Sequence, residues 1–386
     1  MDKGTRKLRL LSVEPMMAEA VEPGDDNNEE LLGLEEDNRC PTPLKRSTRF
    51  DSRAMLRQIK RIMKIFGVDL DAAGNKLKCV ISDNTSCNRR LAAQLSVPFV
   101  NCFAHLWALA MSSLTKEGGI FFDYTMAKVI DEARRVQKVF KNSSKASSCL
   151  KEQTNLVVML PVVTRWSSNL ICVRRYHKIF NHIRTAFQHP DCPPLSPPMD
   201  TSPVFQEELK DKLETLLSLN EMTMYLQKSG LGLSEAMLLF DIALNQDEAS
   251  GFSGIGVDPS YLDLSNSVFS NAHFLSGVSK LQRNKSHELT TREKEEVKNL
   301  RTPSPVRVAV EAVESERNLL TALKKRKAEE PETYIDCDFI LATAVDVERL
   351  WSLAKNLLTD KRRRMTTVMI QVILFLKENR NLEFMK

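Results

Sequence analysis

Hydrophobic and polar positions along this chain follow two rhythms. Met55, Ile59, Ile62, Met63 and Phe66 recur at helical spacing and Gly67 ends the run, which predicts a helix from near Ser52. Leu77 to Ile81 is a short apolar run that follows "AAGN" and stops at "SDN", as a strand does. Arg89 to Leu95 can form a helix, and Val97 to Val100 reads as a second strand after Ser96. Cys102 to Leu114 has the apolar density of a buried helix, ended by Gly118 and Gly119. Strands alternating with helices predict an α/β layer over this region.

Farther along, the helical rhythm dominates. Met126, Val129, Ile130, Ala133, Val136, Val139 and Phe140 share one helix face, and "KNSSKASS" after them reads as a solvated loop. "LPVVTRWSSNLICVRRYHKIFNHI" turns helical after Arg165 and Trp166, and the proline-rich residues 189–203 form a hinge or loop. From Phe205 to Leu244 the spacing is helical, with Phe205, Leu209, Leu213, Leu216 and Leu217 on one stripe. Residues 245–300 are mixed, but the threonine before an acidic first turn in "LTTREKEEVKNL" predicts a capped helix. Residues 301–333 read as exposed, and Val345 to Leu358 with Met365 to Asn379 forms a last helical block. Residues 1–50 lack hydrophobic periodicity and are expected to be a disordered tail.

A chain of 386 residues can bury one or two substantial cores. Its net charge of +5 comes from plentiful charges of both signs, so the balance alone demands no nucleic-acid partner. Local runs change that picture: Glu29, Glu30, Glu35, Glu36 and Asp37 make the tail acidic, while Lys324 to Lys327 and Lys361 to Arg364 are basic. The basic runs suit nuclear import or phosphate contact, or else solvated helix ends. Eight cysteines without paired C-x-x-C spacing, and no hydrophobic leader after Met1, predict an intracellular chain with reduced thiols. No apolar run reaches the roughly 18 residues of a membrane span, so no membrane partner is expected.

Four features could carry chemistry. Asp83 stands just past a strand end, where open α/β sheets place functional groups; Asp-Asn is also a common turn pair. A catalytic role would need further carboxylates, as in two-metal phosphoryl transfer. Cys102 and His105 have C-x-x-H spacing, but structural zinc takes four ligands, so a core cysteine with a hydrogen-bonded histidine is the simpler reading. Glu348 shares a helix face with Trp351 and Ser352, or is the acidic half of a solvent-facing Glu-Arg pair. Trp166, in "VTRWSS", reads by itself as a partly buried indole.

Taken in order, these pieces resemble the hAT superfamily of transposases (the hobo, Activator and Tam3 type). "ISDNTSCNRRLA" resembles the strand with the family's second catalytic aspartate. "CFAHLWAL" resembles its C-x-x-H-x-L-N-L motif, from which Trp107 and Ala108 depart. "VTRWSSNLICVRRY" resembles the T-R-W-N-S motif that opens a helical insertion. Val347 to Ser352, within "ATAVDVERLWSLAKNLL", resembles the S-E-R-x-F-S of the C-terminal dimerisation segment. The likeness spans residues 55–386.

The resemblance implies an incomplete α/β RNase H-like core, interrupted by an α-helical insertion and closed by a helical dimerisation segment, the whole being mainly helical. It divides the chain into the 1–50 tail, a partial core over 51–165, an insertion with exposed linkers over 166–333, and the dimerisation segment over 334–386. Asp83 and Glu348 fall on the second and third catalytic carboxylates. Arg165 and Trp166, with Lys361, Arg362 and Arg363, would touch DNA, the indole stacking near an extruded base. Trp351, Met365, Val368, Met369, Val372, Ile373, Phe375 and Leu376 would serve dimerisation, and Cys102 with His105 would be a family helix motif. Partners would be a second copy or related transposase-like chains, and DNA, in the nucleus.

The family's first aspartate, on a three-stranded meander upstream of Asp83, has no counterpart in a strand-like run, and no BED-type zinc finger precedes it. Two of three carboxylates hold two Mg²⁺ ions poorly, so the expectation is a non-catalytic relic with no cofactor and no metal site. The alternative is an active Mg²⁺-dependent DDE transposase or nuclease, its first carboxylate supplied upstream or by Asp51, Asp69 or Asp71.

Overall fold

The computed structural model describes residues 52–65, 68–70, 77–162, 167–245, 257–302 and 333–357. Over these residues the protein is mainly helical, with one small sheet. Contacts divide it into two compact bodies, one drawn from the chain up to Phe99 and from Ala344 onward, the other from Val100 to Thr343.

In the first body, α1 (Ser52–Ile65) forms because Met55, Ile59 and Met63 stand four residues apart and so line one face. That face packs with Leu70, Leu91 and Leu95, joined by the half-buried Leu56, Val68, Leu77 and Val80. Strand β1 (Val80–Ser82) leads through Asp83 into α2 (Ser86–Gln94). Thr85 caps α2 by accepting the Asn88 backbone N–H, one of the orphan donors of the first turn. Strand β2 (Phe99–Asn101) pairs with β1, and the division between bodies falls inside it. Both strands start later than the apolar runs suggest. Pro98 has no N–H to give a ladder, so it contributes only its carbonyl, which accepts from Val80 N at 3.0 Å. The body also includes the last described helix, α11 (Val345–Leu357).

Among the described residues the sheet has two strands of three residues each. The α/β layer among the described residues is therefore a single strand–helix–strand unit, and α1 is the helix described before it.

The second body begins with α3 (Phe103–Ser113). Its larger core comes from α4 (Tyr124–Asn142), α5 (Ser144–Gln153), α6 (Ser167–Ala186) and α7 (Pro203–Leu226). Met126, Val129, Ala133, Val136 and Phe140 of α4 meet Cys172, Tyr176, Ile179 and Ile183 of α6, and Phe205, Leu209 and Leu216 of α7. Each such side chain, fully buried, is worth roughly 1.5–3 kcal/mol, so this stripe-to-stripe packing dominates the body's stability.

"KNSSKASS" is not a solvated loop. Ser143 accepts the Ala146 backbone N–H as N-cap, and residues from Ser144 onward form α5, burying Ala146, Cys149 and Leu150. The serines that look like loop material are cap and exposed-face residues. The proline-rich stretch is a loop, and it is fastened. Arg135 of α4 donates to the carbonyls of Pro197 and Pro198 while pairing with Glu132 at 2.7 Å, and Glu132 accepts from Asp200 N. The helical pattern of Phe205 to Leu244 breaks at Gly230, whose φ of +74° suits glycine, between α7 and α8 (Leu233–Asn245).

Helix α9 (Ala272–Gln282) packs on α8 and on α10 (Thr291–Glu296). The cap expected in "LTTREKEEVKNL" is a capping box, with Thr290 and Glu293 each bonding the other's backbone N–H. Residues 333–343 close the body: Ala342 N donates to Leu231 O, Phe103 N donates to Ala342 O, and Gln282 Nε2 donates to the carbonyls of Cys337 and Ile340.

Candidate functional site

Asp83 directly follows β1 and precedes the cap of α2, a position fixed by the strand–turn–helix around it. Its Oδ1 accepts from Ser82 Oγ at 3.2 Å, from Thr85 Oγ1 at 3.4 Å and from Asn88 Nδ2. Asn88 is 4% exposed and also donates to Ser82 Oγ, itself buried. The carboxylate is thus the acceptor of a local network that joins the strand end to the first turn of α2. Sequence reasoning identified Asp83 but missed Asn88. The available signal was its place in the first turn after a capping threonine, where an amide can reach back to the strand end.

Glu348 lies on the exposed side of the first turn of α11. The neighbouring Arg349 pairs with Asp346 at 3.7 Å, so the arginine of the expected Glu-Arg pair has an acidic partner one turn earlier. Asp83 and Glu348 belong to the same body. Asp69 is exposed; Asp51 and Asp71 lie outside the described residues. So do Arg165, Trp166, Lys361, Arg362 and Arg363, and so do Met365, Val368, Met369, Val372, Ile373, Phe375 and Leu376. Trp351 falls within α11, its side chain outside the description.

Cys102 is the N-cap residue of α3, 2% exposed, and makes no side-chain cap bond. His105 is half-buried one turn on. Among the described residues no group of three or more His, Cys, Asp or Glu is gathered as metal ligands would be. Trp107, where the family motif has another residue, is buried and donates its indole N–H to Thr223 Oγ1 of α7 at 3.0 Å. That bond satisfies the polar end of a side chain buried for its apolar bulk.

Glu293 and Cys172 are among the groups whose acidities are strongly displaced. Burial would raise the Glu293 carboxyl, but hydrogen bonds from Lys280, Ser276 and Thr290 outweigh it and hold the pKa at about 2. Lys280 Nζ stands 2.7 Å from its Oε2. Burial pushes the Cys172 thiol up to about 11, against the opposing Arg134 charge and the Gln137 hydrogen bond. The first is an ion pair joining α9 to α10 and the second a core thiol; neither adjoins Asp83 in the chain. Comparison with protein-family models and with curated proteins gave no match for this chain.

Proposed function

We propose that this chain is a transposase-derived protein of the hAT type that does not cleave DNA and acts by self-association through its C-terminal segment. DNA is a further partner and the nucleus its setting. The reading is supported by the order of β1, Asp83, α2, β2 and then Cys102 and His105 at the start of α3, with a helical block between α3 and Glu348. An RNase H-like core keeps its second carboxylate in such a strand-end position. The engagement of Asp83 Oδ1 by three neighbouring donors carries the non-catalytic half: the aspartate serves as a structural acceptor, which costs a metal those bonds if it is to ligate this oxygen.

Light scattering on the full chain and on a chain ending at Leu357 tests the reading. The full chain is expected as a dimer or larger, and the shortened one as a monomer. Truncation after Leu357 spares residues 333–343, which close the second body. A monomer in both cases overturns self-association. Mg²⁺-dependent strand cleavage that disappears on Asp83→Asn overturns the absence of catalysis.

A further inference from the structure

A groove of about 430 Å³ runs between α6 and α7 in the second body. From α6 it is lined by Ser167, Leu170, Ile171, Arg174, Arg175 and Lys178, and from α7 chiefly by Asn220, Thr223 and Met224. Helix α6 contains Arg174, Arg175, Lys178 and Arg184 and neither Asp nor Glu. Arg174 and Lys178 are one turn apart, so their charges share a face and repel. Among the described residues no carboxylate lines the groove. Some cations of the neighbouring helices are paired, Lys128 with Glu208, Arg135 with Glu132, and Lys212 with Asp123, while Lys138 and Lys210 make no ion pair with the described residues. Arg174, Arg175 and Lys178 make no ion pair with the described residues.

Beside the cations, Ile171 is 49% and Met224 61% exposed. Asn220 adds an amide. The groove thus sets cationic, apolar and neutral hydrogen-bonding side chains side by side, and its volume falls within the range of small-ligand clefts. The first turn of α6 and the last turns of α7 both contribute to the lining, and their opposite partial charges offset. Three full positive charges then set the sign of the field.

We propose that the α6–α7 groove binds a small phosphate-bearing ligand with an apolar or aromatic body, the phosphate held by Arg174, Arg175 and Lys178 and the body resting on Ile171 and Met224. Arginine suits this task because its fork bonds two phosphate oxygens at once. Ser167 to Arg175 lie within the stretch that resembles the T-R-W-N-S motif, but the site rests on the groove's charge and lining and does not require the transposase-derived reading.

Calorimetric titration of the full chain at low salt, without Mg²⁺, with ATP and with pyrophosphate as probes, tests it. Both are expected to bind, ATP more tightly, and an Arg175→Gln/Lys178→Gln variant is expected to bind ATP at least tenfold more weakly. Unchanged thermal unfolding of that variant verifies that the loss belongs to the groove, and Lys178→Arg is expected to retain binding. Three results overturn the proposal: no binding of either probe, equal binding by the double variant, or binding only by oligonucleotides with affinity that grows with their length. The last would make the face an extended polyanion surface.

Discussion

Glu293 carries a buried charge that joins α9 to α10. Its side chain is 5% exposed and its carboxylate takes bonds from Lys280, Ser276 and Thr290. A carboxyl held at about 2 in the folded chain against an ordinary 4.5 stabilises the folded state above pH 4.5, and the contribution is lost as pH falls toward 2. The displacement corresponds to about 3 kcal/mol. Glu293→Gln is therefore expected to lose about that much stability at neutral pH. The difference from the unsubstituted chain should shrink between pH 4.5 and 2, as read by denaturant unfolding at several pH values. The sequence shows half of this arrangement: the spacing of Thr290 and Glu293 predicts the capping box, while Lys280 comes from another helix and leaves no local trace. Asp83 is a parallel case. Its place after an apolar run is readable, but its bond from Asn88 depends on how α2 is set against the strand end.

At the scale of elements, the close approach of α9 to the end of α10 passes through Gly277. A Cβ there would lie 2.8 Å from Val297 Cγ1. Alanine in a helix interior gains about 1 kcal/mol over glycine. Overpacking costs about 1–3 kcal/mol, and a valine is too stiff at χ1 to move aside cheaply. The clash is expected to win: Gly277→Ala should lower the unfolding midpoint in urea, with an unchanged slope. The long amphipathic helices were legible because their stripes are long, as with Met126 to Phe140 in α4. Helix α5 was not. Its first half is serine, lysine and alanine, a composition shared with loops, and only the late Cys149 and Leu150 show which side is buried. The strands were located to within a few residues, but three-residue strands present too little alternation to fix their ends.

For the whole molecule, the two bodies differ in how the chain builds them. Val100 to Thr343 is continuous, and its own last residues close it by bonding to Phe103 and Leu231. Expressed alone, residues 100–343 are expected to unfold as one cooperative transition, with circular dichroism and tryptophan fluorescence giving coincident curves. Residues 52–99 alone bury only the small cluster around Met55, Ile59 and Leu91 and should show no such transition. A non-cooperative 100–343 fragment would mean that the closing bonds of residues 333–343 do not suffice. The order of elements was legible at this scale, whereas the division at Phe99 and Ala344 was not, because it depends on which distant segments pack together.

The fastening of Ala342 between Leu231 and Phe103 has a bearing on synthesis. A ribosome delivers residues 52–99 first, yet their body also draws on Ala344 onward, which emerges only after the whole continuous body has been made. The body of the first-made segment is therefore completed only after the later, continuous one has been made. A nascent chain that has released residues up to Thr343 but not Ala344 onward would carry a finished continuous body and an unfinished one, the part that a holdase chaperone would grip.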